Sequence, residues 1–173
     1  RGGALKAILP YLDLVATAIG ADIVPITGEN RILAYYGLQV LNSAPRIGFQ
    51  AMLSQVKKKS LTITDVVFLL APRINAAGRM KHGLHAVTLL TETDYELAVA
   101  YAKEIETYNV DRKAADQSIT IEALQQIKEK KEENKHTTVV YDAGWNKGVI
   151  SNVASRLIET FYRTTLDYTK SGD

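Results

Sequence analysis

The chain has 173 residues, 46% apolar and 23% charged, with a formal net charge of +2, so it has room for one or two small domains and a sizeable core. The mild positive charge permits a nucleic-acid partner without demanding one, and the lack of cysteine excludes disulfides, thiolate metal sites and cysteine nucleophiles and fits a cytoplasmic home. No apolar run approaches the roughly 18 residues of a membrane span, and Arg1-Gly2-Gly3 carries neither a starting Met nor a signal-peptide core, which suggests a piece of a longer chain.

From Ala4 to Ile19 the residues Leu5, Ile8, Leu9, Leu12, Val15 and Ile19 recur at helical spacing, with Pro10 splitting the run and Gly20 ending it. Asp22-Ile23-Val24-Pro25 reads as a short turn. A second helix begins at Thr27 or Gly28, with Ile32, Leu33, Tyr36, Leu38 and Leu41 as its inner face. Asn42 to Pro45 is a loop, Arg46 to Val56 a short helix, and Lys57 to Lys59 a solvated basic helix end. Thr62 or Thr64 caps a helix over Asp65 to Leu70. Pro72 pushes Ala71 out of the helical region, so the stretch to Met80 reads as a turn or loop. Lys81 to Leu90 is helical with Leu84, Val87, Leu89 and Leu90 inward. Nothing from Asp94 to Asn134 demands a stop, although a break near Asn109–Asp111 fits the pattern; a helix of that length suits a connection between domains. Lys128 to Lys135 is a solvated charge run. Thr137 to Tyr141 and Thr164 to Thr169 read as strands from their β-branched content, flanking an amphipathic helix over Gly148 to Tyr162. That strand–helix–strand unit implies a parallel pair.

The stretch Ala71-Pro-Arg-Ile-Asn-Ala-Ala-Gly-Arg-Met80 concentrates candidate chemistry. Arg73 and Arg79 offer planar forks of donors suited to phosphate, and Gly78 lets a backbone approach a ligand closely. The plain alternative is a helix end with solvated arginines. Asp22 stands among Ile19, Ala21, Ile23 and Val24, so a buried carboxylate there needs a partner, whether as an N-cap or in a salt bridge to a residue such as Arg31. Glu29 suits a first helical turn. His82 and His85 share a helix face, but no carboxylate cluster accompanies them in the sequence, which disfavours a metal. Trp145-Asn146-Lys147-Gly148 precedes a helix N-terminus, a ready anion site. Trp145 itself suits base stacking and core packing equally.

Pro72-Arg-Ile-Asn-Ala-Ala-Gly-Arg79 resembles a signature of the RecJ family, single-strand-specific 5′-to-3′ DNA exonucleases of the DHH phosphoesterase superfamily. Leu12-Asp-Leu-Val-Ala16, Ala21-Asp-Ile-Val-Pro25 and Gly28-Glu-Asn-Arg-Ile-Leu33 are similar to that family's fourth motif region. Gly144-Trp-Asn-Lys-Gly-Val-Ile150 and Val153-Ala-Ser-Arg-Leu-Ile-Glu159 are similar to the opening of its second domain. The three regions run in order over nearly the whole chain. The resemblance implies an α/β class: the mostly helical end of a DHH domain over residues 1–92, a connecting helix over 93–135, and the start of a small α/β domain over 136–173. It implies Asp22 as a catalytic ligand of Mn²⁺ or Mg²⁺, and Arg73, Asn75, Gly78 and Arg79, with Asn146, Lys147, Ser155 and Arg156, as groups that hold DNA or phosphate in a shared cleft. The implied partner is single-stranded DNA, with single-strand-binding or helicase partners in repair and recombination. The chain lacks the family's Asp-His-His, Asp-x-Asp and Gly-Gly-His motifs, which implies an incomplete, inactive segment. It also departs at Ser151 and Asn152, at Thr164 where a proline is expected, and at Asp167 where an apolar residue is expected. The alternatives are another DHH phosphoesterase, acting on short oligonucleotides or cyclic dinucleotides, and a non-catalytic scaffold.

Overall fold

The computed structural model describes residues 6–54, 56 and 58–170. Lys57 of the basic cluster, and Ala4 and Leu5 of the first apolar run, lie outside them. The chain divides into two compact units, Arg1–Asn109 and Val110–Asp173.

The first unit is helical. A 3₁₀ turn, Leu9–Tyr11, carries Pro10 in its opening positions and leads into α1 (Leu12–Ala21). There follow α2 (Gly28–Ser43) and α3 (Ile47–Leu53). The inner face of α2 differs from the one its large residues suggest. Ile32 and Tyr36 are mostly exposed, whereas Ala34, Gly37 and Leu41 are buried. The cause is the closeness of α1: a Cβ on Gly37 would stand 2.1 Å from the Leu12 carbonyl oxygen. Only small residues fit that crossing. Asn42, expected in a loop, belongs to α2. Its amide donates to the Leu61 carbonyl (3.0 Å) and accepts from the Leu61 N–H (2.6 Å), tying down the segment before the next helix.

That next helix is the largest departure from expectation. Thr62 and Asp65 form a reciprocal capping box. One turn (Ile63–Asp65) widens into a π turn (Val66–Leu70) and continues as α4 (Ala71–Met80). The expected loop at Pro72–Met80 is therefore helix, and Ala71 keeps helical angles of φ −57° and ψ −44°. The π turn accounts for it. Ala71 N–H donates to the Val66 carbonyl, five residues back. The ladder is already re-spaced where Pro72 withdraws its N–H. In α5 (Leu84–Thr91) the buried side chains are Ala86 and Leu89, while Leu84 and Val87 are exposed, contrary to their expected inward positions.

The long helix α6 runs unbroken over Tyr95–Glu129, 35 residues or about 52 Å, with no break at Asn109–Asp111. Its first part buries Ala98, Ile105 and Tyr108 in the first unit. Its second part buries Ile119, Ala123 and Ile127 in the second unit.

The second unit also contains β1 (Thr137–Tyr141), α7 (Ile150–Phe161) and β2 (Thr164–Tyr168). The strands pair in parallel with Thr137 opposite Thr164, as the strand–helix–strand reading implies. Val153 and Leu157 of α7 and Val140 of β1 are fully buried. The side chain of Gln126 pairs with both backbone groups of Tyr141, occupying the edge of β1 at that point. Arg163 gathers the chain before β1: it donates to Thr138 Oγ1 (2.7 Å) and to the carbonyls of Glu132 (2.8 Å), Glu133 (2.7 Å) and Lys135. Asp167 is half-buried opposite Val140, and desolvation pushes its carboxyl above the ordinary carboxylate range. No helix among the described residues is long and apolar enough to cross a membrane.

Candidate functional site

Asp22 does not sit where its apolar neighbours suggest. It is exposed, at the residue that ends α1, and makes no ion pair with Arg31 or any other described residue. The backbone folds back just after it: Asp22 N–H reaches the Ala18 carbonyl (3.0 Å) and Val24 N–H the Ile19 carbonyl (3.2 Å). That arrangement puts Ile23 in the left-handed region at φ 53°, with its side chain 82% exposed. Glycine normally takes this position, and a β-branched residue there costs about 1–2 kcal/mol. Strained backbone beside an exposed carboxylate is a pattern associated with functional sites.

Helix α4 separates the residues that a loop would have gathered. Asn75, Gly78 and Arg79 stand at i, i+3 and i+4, so they share one face, and all three are exposed. Arg73 lies about 200° round the helix from Asn75. It points instead to α6, where Nε donates to Glu106 Oε2 and Nη1 to the Leu69 carbonyl (2.6 Å). A Cβ on Gly78 would meet only Gly83 Cα, at 3.9 Å. Packing does not require a glycine there.

The second unit shows the same division. Asn146 Oδ1 accepts from Gly148 N–H (2.8 Å), and its carbonyl accepts from Val149 and Ile150, shaping the turn that enters α7. Lys147 is exposed at that turn. Ser155 is exposed on α7 and donates to the Ser151 carbonyl (3.1 Å). Arg156 Nη2 donates to Asp116 Oδ2 at 2.6 Å, and Asp116 is buried. Trp145 is 5% exposed and its indole N–H donates to Glu122 (2.8 Å), so core packing prevails over a base-stacking platform.

No protein-family model matches the chain. Among curated proteins, the single-stranded-DNA-specific exonuclease RecJ of Escherichia coli is 34% identical over 180 residues, covering 100% of this chain and 31% of that protein. The enzyme of the same name from Bacillus subtilis is 38% identical over 167 residues, covering 94% of this chain and 21% of that one. Together these matches support a RecJ-family fragment. Among solved structures, RecJ of Thermus thermophilus in complex with Mg²⁺ matches with a TM-score of 0.84 at 29% identity, covering 93% of this chain and 25% of that one. An exonuclease RecJ bound to manganese matches with a TM-score of 0.84, also at 29% identity, and this chain covers 40% of it. The mostly helical backbone with one small parallel sheet is thus shared with RecJ structures, and this chain spans about a third or less of the curated RecJ relatives.

Within this RecJ segment three polar arrangements escape a reading of the sequence. Glu106 and Asp116, the anchors of Arg73 and Arg156, look like ordinary helix-surface acids until the fold brings their partners in. Asp13 is 1% exposed and accepts from Arg46 Nε (2.9 Å) and Nη2 (2.8 Å), while Arg46 Nη1 reaches the Leu90 carbonyl (3.2 Å). A signal existed here, because Asp13 stands among Leu12, Leu14 and Val15 as Asp22 stands among its own apolar neighbours. The third is His85, Glu104 and Tyr108. Tyr108 OH donates to Glu104 Oε1, His85 Nδ1 lies 3.4 Å from the same oxygen, and the His85 and Tyr108 rings meet edge to face at 5.5 Å. The bond to Glu104 raises the Tyr108 pKa.

Proposed function

We propose that the chain is part of a metal-dependent 5′-to-3′ exonuclease that hydrolyses single-stranded DNA in the cytoplasm during repair and recombination. Residues 1–92 end the DHH catalytic domain, 93–135 form the connecting helix, and 136–173 open the DHH-associated α/β domain. The observation that carries this reading is the joint agreement of sequence and backbone with RecJ proteins over nearly the whole chain.

In this reading Asp22 gives one carboxylate to a Mn²⁺ or Mg²⁺ site. The chain alone does not fit a complete one: among the described residues no three His, Asp or Glu side chains stand close enough to hold an ion. A divalent ion engaged in phosphodiester hydrolysis needs several such ligands. The other ligands therefore come from outside these residues, and the chain by itself is inactive.

The exposed set Asn75, Gly78 and Arg79, together with Lys147 and the turn at Asn146, serves DNA phosphate. A guanidinium and an ammonium supply charge-assisted donors, Gly78 permits close approach, and a helix start offers backbone N–H groups. Ser155 adds a hydroxyl on the exposed side of α7. Arg73 and Arg156 act as positioning residues through Glu106 and Asp116. Single-strand-binding or helicase proteins are the further partners of this reading.

The test compares this chain with a RecJ-length protein carrying it, on 5′-labelled single- and double-stranded DNA with Mn²⁺. Digestion of the single strand by the long protein and none by the chain supports the proposal. No digestion by the long protein, with Mn²⁺ and Mg²⁺ both supplied, overturns it.

A further inference from the structure

His82, Leu84, His85, Thr88, Tyr101 and Glu104 line a cavity of about 300 Å³ in the first unit, where the start of α5 faces α6. Its size is at the lower end for small-molecule sites. Its walls combine three flat rings, one of them a phenol, with one apolar side chain, the Thr88 hydroxyl and one carboxylate. The carboxylate is half committed: Glu104 Oε1 serves Tyr108 and His85, while Oε2 has no hydrogen-bond partner among the described residues. His82 Nδ1 accepts from the Leu84 N–H at 3.1 Å, so a neutral ring carries its proton on Nε2. The cavity thus offers surfaces for stacking, a free carboxylate oxygen, one imidazole donor and the hydroxyls of Thr88 and Tyr101. Among the described residues no group of three metal-ligating side chains occurs.

We infer that this cavity binds a nucleobase bearing an exocyclic amino group. The base stacks on Tyr101 and the imidazoles. Its amine donates to Glu104 Oε2, and a ring carbonyl, where the base has one, accepts from His82 Nε2. Adenine, guanine and cytosine meet the carboxylate with an N–H₂ group. Thymine meets it with a single N–H flanked by two carbonyl oxygens, which a carboxylate repels. A site built to accept from an amine discriminates against a base without one. The inference rests on the exonuclease reading only for the source of the base, which is either a nucleotide of a bound strand or a free mononucleotide.

The chain has three histidines, His82, His85 and His136, so their imidazole C–H resonances can be followed singly by NMR. Titration with dCMP or dAMP is expected to move the signals of His82 and His85 and leave His136 in place. Binding of dTMP is expected to be about tenfold weaker. Glu104→Gln, at a half-exposed position, keeps an oxygen for Tyr108 and adds an amide donor, so the margin over dTMP should shrink or reverse. Oligodeoxycytidylate acting at lower concentration than dCMP assigns the base to a bound strand; a response to the mononucleotide alone assigns a free nucleotide. Unmoved His82 and His85 signals at millimolar dCMP and dAMP, or equal affinities for dTMP and dCMP, overturn the inference. Either result leaves the digestion assay above to judge the exonuclease reading separately, and failure of that assay leaves a positive titration intact.

Discussion

Three of the four side-chain hydrogen bonds of Arg46 hold the buried Asp13 carboxylate and the end of α5 together, and the fourth reaches the Pro10 carbonyl. Removing one partner of a buried pair strands the other charge, which costs about 3–5 kcal/mol. Arg46→Ala is expected to lower the urea unfolding free energy by that amount. Arg46→Lys should recover little, because one ammonium cannot replace a fork aimed at a carboxylate and a carbonyl. Asp65 gives a pH-dependent counterpart. Lys58, then the N–H and hydroxyl of Thr62, hold its carboxyl down at about 2, against an ordinary value of 3.8. A folded pKa below the unfolded one means this stabilisation is complete above 3.8 and lost as pH falls through about 2. Asp65→Asn should therefore show a shallower acid-unfolding curve by circular dichroism across that window. In the proposed function Arg79 has a role in DNA binding and Arg73 one in positioning. In a RecJ-length protein Arg79→Ala should weaken single-strand binding and flatten the log K against log salt slope by about 0.7. Arg73→Ala, which removes the ion pair with Glu106 and the bond to the Leu69 carbonyl, should lower the unfolding midpoint and leave that slope unchanged. Residue types were legible here from the sequence: arginines, an asparagine and a glycine stood out. Which arginine faces inward was not, because Glu106 lies 33 positions from Arg73 and no local pattern joins them.

Helices α1 and α2 touch at Gly37, and the contact explains why large residues on α2 face out. Gly37→Ala would place a methyl group 2.1 Å from the Leu12 carbonyl oxygen and 2.7 Å from Ala16 Cβ. Backbone cannot yield there without parting the two helices. A loss of about 3 kcal/mol in chemical denaturation is expected, although alanine favours the helix by propensity. Elements with strong local chemistry were legible from sequence. The Thr62 cap, the long helix and both strands fall where β-branched content, capping and an absence of breakers put them. The run through Pro72 was not legible. A proline in a helical pattern normally signals a stop, and only the π turn before it keeps the helix going. The inner faces of α2 and α5 were misread for one reason: close helix crossings select alanine and glycine, which periodicity arguments weigh lightly.

On the scale of the whole chain, the family was readable from three ordered motifs, and RecJ proteins match in sequence and backbone. The reaction is not contained in those motifs, because a metal site needs several ligands together and the described residues gather no group of three. What the segment offers is one exposed aspartate beside a strained isoleucine, and exposed polar and basic groups on each unit that the proposal assigns to DNA phosphate. The most direct measurement is the Mn²⁺-dependent release of nucleotides from the 5′ end of single-stranded DNA by a RecJ-length protein, with and without Asp22→Asn. Loss of activity by on the order of 100-fold or more, with the unfolding midpoint unchanged, is the expected result. An Asp22→Asn protein that digests at the unmodified rate would contradict the assignment of this carboxylate to the metal.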